Sequence, residues 1–515
     1  MHDAAEPGDG RPRRALGEAP ALGMGQAMAW TFLGTLVPGL GLLRAGRRVA
    51  GAVTLAVTAV LLGVVIYAAL NRQATLAVVA DAAVLRAAVV AIALIGLAWV
   101  IVIGATHLAL RPAGTTVGQR AAGAVVVGLM SFAVAAPLAL GANIVHAAGN
   151  LVGTVFDNDT DHSQTVPTIA NTVDPWAEKS RLNVLVIGGD SGTGRSAKVG
   201  MRADTVIVVS IDTRTGATTM FSLPRQTARM PFPHGSKLAG YFPHGWYDGA
   251  NPVNPDYWLN AMYRFAPNRV PKDILGKTRY LSEDIMKVSV GEALGLDIDY
   301  FVTINMDGFK DVINALGGIS VNVNSPIPIG GDTDANLLPT GWIEPGPTQH
   351  LKGRLALWYA RGRWGYEDYS RMRRQRCTIN AVVQQANLSN VLANFEKIAQ
   401  AGEKTVTTDL PTTMVAPVIT LAEKVQGSKL RSVVFQNGVG GFSTTNPNWA
   451  GVRKQVTKAL KEARRSNATP SASAKATSKG RSDDVTGECG YHPDGFIPKG
   501  YPGTRDNPMG YRQGR

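Results

Sequence analysis

At 515 residues the chain is long enough for two or three structural units. It carries 52 Lys+Arg against 38 Asp+Glu, a net charge of +14 that favours anionic partners. No Cys/His spacing suggests zinc.

In chain order, residues 1–18 are expected to form a cytoplasmic segment and 19–156 a membrane region. Residues 49–71, 87–110 and 121–156 contain no Lys, Arg, Asp or Glu. Each can cross a hydrocarbon core of roughly 30 Å, which takes about 20 helical residues. Spans are expected at 49–71, 87–110 and 121–148. The succession of long apolar runs excludes a cleaved signal peptide. A fourth uncharged run, 19–43, contains Pro38-Gly39, where a helix can break. If this run dips in and returns, Arg11, Arg13, Arg14, Arg44, Arg47, Arg48, Arg111 and Arg120 share one side. Only Arg72 and Arg86 then lie opposite; a full crossing would split the arginines evenly. The positive-inside rule favours the re-entrant form, with the C-terminal part outside the cell. His107 and His146, inside the apolar runs, are expected to pack or to lie at the interface.

Residues 157–180 are polar and contain proline, as a linker does. Strands are expected at Leu182–Gly188, Asp204–Ile211 and Ala217–Leu223, where short Val/Ile-rich runs end in turn residues. Glu283–Leu294 reads as a helix, Ile298–Ile304 as a strand, Asp307–Leu316 as a helix and Ile319–Val323 as a strand. Mixed strands and helices indicate a layered α/β domain over about 181–464, its sheet covered on both faces. Arg229–Tyr257, rich in Pro, Gly and aromatics, reads as a long loop near the site mouth or as an ornamental insertion. From 465 the composition predicts a disordered tail. Cys377 and Cys489 are so differently placed that separate thiols are expected over a disulfide tying tail to domain.

The densest chemistry lies in Tyr359–Gln375. Arg361, Arg363, Arg371, Arg373 and Arg374 flank a short turn between two helical patterns, Leu351–Tyr359 and Tyr369–Leu388. Arg371, Arg374 and Gln375 share one helix face. Guanidinium forks match phosphate oxygens and stay charged at any working pH. The interleaved Trp358, Tyr359, Trp364, Tyr366 and Tyr369 go beyond what a solvated basic face needs. Gly188-Gly-Asp-Ser-Gly-Thr-Gly194 follows the first strand, but it has neither P-loop nor dinucleotide spacing. Asp190 and Asp204, at the end of one strand and the start of the next, could meet on one sheet edge. Such a pair can hold a hard divalent cation, though strand-end aspartates are also ordinary caps. Ser222-Leu-Pro-Arg225 places another arginine just past the third strand.

Together these segments resemble the LytR-CpsA-Psr family. The resemblance is carried by Ile187-Gly-Gly-Asp-Ser191, Arg202-Ala-Asp204, Ser222-Leu-Pro-Arg225, Leu259-Asn-Ala-Met-Tyr263, Gly317-Gly-Ile319, Ala356-Leu-Trp-Tyr-Ala-Arg361, Asp368-Tyr-Ser-Arg371 and Arg374-Gln375. It implies an extracytoplasmic α-β-α sandwich behind a membrane anchor. It also implies a phosphotransferase that moves an anionic glycopolymer from a polyprenyl-pyrophosphate carrier to peptidoglycan and releases polyprenyl phosphate. Asp190 and Asp204 would then hold Mg2+. Arg202, Arg225, Arg361, Arg363, Arg371 and Gln375 would bind the pyrophosphate, and Asp368 would brace the arginines. Arg225, Asp368 and Arg371 are the expected catalytic set. The partners implied are the lipid-linked glycopolymer, peptidoglycan and the bilayer, not nucleic acid.

The chain departs from the family pattern in two places. Gln226 follows Arg225 where the family usually has Asp, and the block after Arg363 is shortened and aromatic. Asp204 or Asp368 could deprotonate the acceptor hydroxyl, or no base is required. Hydrolysis of the same donor, or non-catalytic binding of an envelope polymer, are the competing functions.

Overall fold

The computed structural model describes residues 23–71, 75, 82–155, 164–167, 175–177, 179–192, 201–250, 253–332, 336–386, 406–468, 483–493, 495–498 and 501. The expected segment 1–18, most of the linker 157–180, residues 193–200 (193 and 194 of the glycine-rich loop among them) and Leu388 lie outside them. The chain divides into two compact units, Met1–Arg72 with Ala87–Asn143, and Gln73–Arg86 with Ile144–Arg515.

In the first unit the run 19–43 is broken where Pro38-Gly39 allows it. A helix over Met24–Leu36 stops, Gly39 takes φ +105°, and a short helix follows over Leu40–Arg44. Thirteen helical residues rise about 20 Å, short of a hydrocarbon core. The turn is close-packed. A Cβ on Gly39 would lie 2.6 Å from the Gly51 carbonyl, and one on Gly34 would lie 3.2 Å from the Gly41 nitrogen. Helices Arg48–Leu70, Ala83–Leu110 and Val117–Asn150 are each long and apolar enough to cross a membrane.

The second unit is built on a mixed seven-stranded sheet in the order β11-β10-β3-β2-β1-β4-β9. The strands are β1 (Arg181–Gly189), β2 (Ala203–Asp212), β3 (Thr218–Ser222), β4 (Tyr300–Ile304), β9 (Val406–Thr408), β10 (Leu430–Val434) and β11 (Asp483–Asp484). Strands β1, β2 and β3 run antiparallel in succession, and β4 joins β1 in parallel. Alternation along β1 puts Leu185 and Ile187 on one face, both fully buried. They pack with Val206, Val208, Phe221 and Phe301 beneath helices Leu281–Leu294 and Trp449–Ala468. On the other face, Leu182, Val184 and Val186 meet helices Val415–Gln426 and Asp368–Gln385. The result is the expected α-β-α sandwich. A fully buried Leu or Ile contributes on the order of 1.5–3 kcal/mol, so the sheet is held from both sides.

Arg229–Tyr257 is not an ornament but part of the core, and its Asp256 reaches Arg202, the residue whose N–H meets Asp190. Met230, Phe232, Leu238, Phe242 and Trp246 are buried in the first of these cores. The rings of Phe232, Phe242, Trp246 and Tyr257 stack in series at centroid distances of 4.8–5.4 Å.

Two small antiparallel pairs flank the sandwich: β5 (Ile319–Val323) with β8 (Gly346–Leu351), and β6 (Ile327–Asp332) with β7 (Leu337–Ile343). Of these, sequence periodicity marks only β5.

Of the expected disordered tail 465–515, residues 469–482, 494, 499–500 and 502–515 lie outside the described residues, and a described part is paired with the domain. Asp483 and Asp484 pair with Ser432 and Arg431 of β10. Just beyond, Cys489 is bonded to Cys377, which corrects the expectation of separate thiols. Glu488 accepts from Arg376 and Ser432, while the Cys489 and Gly490 carbonyls accept from Asn322 and Asn324. These polar contacts hold a segment whose composition carries almost no apolar signal.

Candidate active site

The strand ends supply the acids. At the end of β1 the register shifts between Gly188 and Gly189, a bulge of the kind that re-aims a chain beside a functional site. Only glycine fits there: a Cβ on Gly188 would lie 2.8 Å from Thr205 Cβ. Asp190 follows directly, and its Oδ1 accepts the Arg202 backbone N–H at 2.8 Å. Asp204 opens β2, so the two aspartates line one cavity at the same sheet edge.

The arginines come from three places. Arg225, past β3, donates to Asp204 Oδ1 at 2.8 Å, and its Nε lies 3.6 Å from Asp368 Oδ1. Arg371, nearly fully buried, places Nη2 at 3.0 and 3.1 Å from the two Asp368 oxygens and 3.2 Å from the Asp204 carbonyl. Asp368 and Arg371 lie three residues apart in the first turn of their helix, so the pair is set by local geometry. Burial pushes the Asp204 carboxyl up, but Arg225, Arg371 and Arg363 more than offset it and hold the group below its usual range. Burial lowers the Arg371 pKa, opposed by Asp368 and Asp204. The four side chains form an alternating cluster of two guanidiniums and two carboxylates. Gln226, the departure from the family pattern, is exposed, and the acids that Arg225 meets are Asp204 and Asp368.

Beside this cluster lies a cavity of about 150 Å3. Its polar lining includes Asp190, Asp204, Arg361, Arg371 and Gln375. Its apolar lining includes Val186, Ile304, Phe309, Leu357, Ala360 and Ile379. Arg361 ends the helix Gly353–Arg361, with its guanidinium 4.9 Å from the Trp358 ring and an N–H toward Met306 Sδ at 2.8 Å.

Three expected residues are placed differently. Arg363 does not line the cavity, though its charge reaches Asp204 and helps to lower that carboxyl. Arg202 is absent from the cavity wall: its guanidinium donates to Asp256 at 3.1 Å, while its backbone positions Asp190. Arg374, expected on the same face as Arg371, is buried beneath the turn. It donates to the Tyr359 carbonyl at 2.7 Å and to the Gly362 carbonyl. It thus satisfies orphan carbonyls at the end of the Gly353–Arg361 helix. Sequence reasoning also passed over Asn305 and Met306, which line the cavity. Asn305 caps the helix Met306–Ala315 by accepting the Gly308 N–H at 2.8 Å. The positive end of that helix therefore faces the site. The signal was legible, as an Asn directly after the strand ending at Ile304 is a helix-start residue.

The second unit is thus an α-β-α sandwich with an arginine–aspartate cluster beside a largely apolar cavity. Residues 146–465, more than half of the sequence, match the LytR_cpsA_psr family, and the chain belongs to it. It is 30% identical over 236 residues to the polyisoprenyl-teichoic acid–peptidoglycan teichoic acid transferase TagU of Enterococcus faecalis, covering 45% of this chain and 62% of the relative. It is 28% identical over 235 residues to the transferase TagV of Bacillus subtilis, covering 45% of this chain and 51% of the relative. The alignments thus span between half and two thirds of these relatives' lengths. The crystal structure of Bacillus subtilis TagV matches with a TM-score of 0.38 at 26% identity, covering 55% of this chain and 97% of that one.

Proposed function

We propose that the protein is a membrane-anchored phosphotransferase that moves an anionic glycopolymer from a polyprenyl-pyrophosphate carrier to peptidoglycan. The observation that carries this is the joining of the Asp204–Arg225–Asp368–Arg371 cluster to an apolar cavity. A diphosphate needs the first and a prenyl tail the second. The acceptor hydroxyl oxygen attacks the phosphorus that carries the glycopolymer. The bond from that phosphorus to the bridging oxygen breaks, and polyprenyl phosphate leaves with the electron pair. The hydroxyl proton passes to a carboxylate, with Asp204 and Asp368 both at the cluster. Positioning and charge stabilisation dominate such a step. Arg361, Arg371 and Gln375, which line the cavity, hold the diphosphate, Arg363 adds positive charge nearby, and Arg225 fixes Asp204 and Asp368. Arg202 acts through its backbone N–H on Asp190.

The donors present suit a magnesium ion. Asp190 and Asp204 stand on one wall, and a carboxylate offers about four lone-pair sites, more than their named partners take. Bound there, the ion would add positive charge to the diphosphate oxygens. Manganese titrated into the full chain, read by electron paramagnetic resonance, should lose affinity in both Asp190→Ala and Asp204→Ala. Full affinity in both would return these residues to strand-end caps.

The three long helices are proposed to cross the bilayer, with Arg181 onward outside the cell. The deciding experiment supplies the full chain in nanodiscs with a lipid-pyrophosphate-linked glycopolymer and peptidoglycan, and follows covalent attachment by mass. Donor consumed with water as the only acceptor would make the protein a hydrolase. Donor bound but never consumed would make it a binding protein.

A further inference from the structure

A cavity of about 150 Å3 is small for a polyprenyl tail. An engineered cavity of that order holds a molecule the size of benzene. The apolar layer does not end at the cavity wall, however. Val186 and Ile379, which line it, also pack into a cluster with Ile207, Met220, Val425 and Leu430 between the sheet and the Asp368–Gln385 helix. That cluster leads across the sheet toward β10 and β11 and is completed by Val485, which is fully buried. Val485 follows β11 directly and belongs to the segment tied down by the Glu488–Arg376 pair and the Cys489–Cys377 bond. Cys489 packs against the same cluster, and Cys377 sits one residue before Thr378 and Ile379 of the cavity wall.

We infer that the C-terminal segment is the end-stop of the lipid site, Val485 closing the apolar layer and thereby limiting how much of the prenyl tail is taken in. The segment is a specificity element: it touches the tail side of the site and leaves the arginines untouched. The inference rests on the lipid-carrier function proposed above. A tail would enter by parting the loosely buried Val186 and Ile379, advance toward Met220 and halt where Val485 is fixed covalently through Cys489.

The test measures binding of geranyl, farnesyl, geranylgeranyl and undecaprenyl diphosphates to the full chain in one detergent, with inorganic pyrophosphate as the tail-free control. In the parent, affinity should rise with tail length and then level off. Each methylene accommodated is worth about a fourfold gain. Val485→Ala should move the plateau to longer tails and Val485→Phe to shorter ones, with pyrophosphate affinity unchanged in both. An unchanged plateau in whichever variant folds would overturn the end-stop, as would a parent whose affinity never levels off. A parent that binds no diphosphate at all would instead defeat the proposed function, and the end-stop with it.

Discussion

Arg371 and Arg374 stand three residues apart on one helix and carry the same group, yet they do different work. Arg374 donates to backbone carbonyls and builds the turn, whereas Arg371 faces carboxylates at the cavity. Arg371→Lys should therefore damage donor binding nearly as much as Arg371→Ala, because lysine keeps the charge and loses the planar fork. Each lost charge-assisted hydrogen bond should cost on the order of 1.5–3 kcal/mol, roughly ten- to a hundredfold in affinity. Donor affinity at low and high salt checks this: a silent lysine variant, with an alanine defect that salt erases, would demote Arg371 to a steering charge. Asp204 yields a pH prediction. Its folded pKa lies below the unfolded one, near 3.9, so its contribution is complete above that value and fades as pH falls through the folded pKa. Asp204→Asn should thus melt below the parent at neutral pH, and the gap should close in acid. Thermal unfolding across that window measures it, and a gap independent of pH would contradict the arginine-held carboxylate.

Among the elements, helix Leu281–Leu294 is locked to the sheet by a buried cation. Lys287 Nζ donates to Asp409 Oδ2 at 2.6 Å and to the Asp299 carbonyl at 2.8 Å, while Asp409 Oδ1 accepts the Phe301 N–H at 2.7 Å. Lys287→Met leaves that acid without its cation and should cost roughly 3–5 kcal/mol. Pairing it with Asp409→Leu should recover much of the loss in chemical denaturation, and a purely additive double mutant would refute the coupling. Strands β1 to β4 were legible because continuous Val/Ile runs and turn residues mark buried strands locally, and helices Leu281–Leu294 and Asp368–Gln385 were legible with them, whereas Val415–Gln426 and Trp449–Ala468 were not read. Strands β9 and β11, of three and two described residues, carry no periodicity; they exist through pairing with residues distant in sequence. The site divides the same way. Asp190, Asp204, Arg225, Asp368 and Arg371 announce themselves by residue type at strand and helix ends. The direction taken by Arg202 and Arg374 depends on Asp256 and on two backbone carbonyls, which only the fold brings near. The Cys377–Cys489 bond was hidden for a like reason, spanning 112 residues to a polar tail.

For the whole molecule, the proposed topology leaves Arg44, Arg47 and Arg48 inside the cell and the α/β unit outside. Protease added to intact, wall-stripped cells should digest that unit, and its protection would overturn the topology. Among the described residues, the sheet of that unit has two short borders. On one side stands β9, Val406–Thr408; on the other stands β11, a pair of aspartates laid along Leu430–Val434. Open strand borders are templates on which a second chain can assemble, and brief or charged borders discourage it. Two copies meeting border to border would therefore find only short backbone ladders to share among the described residues.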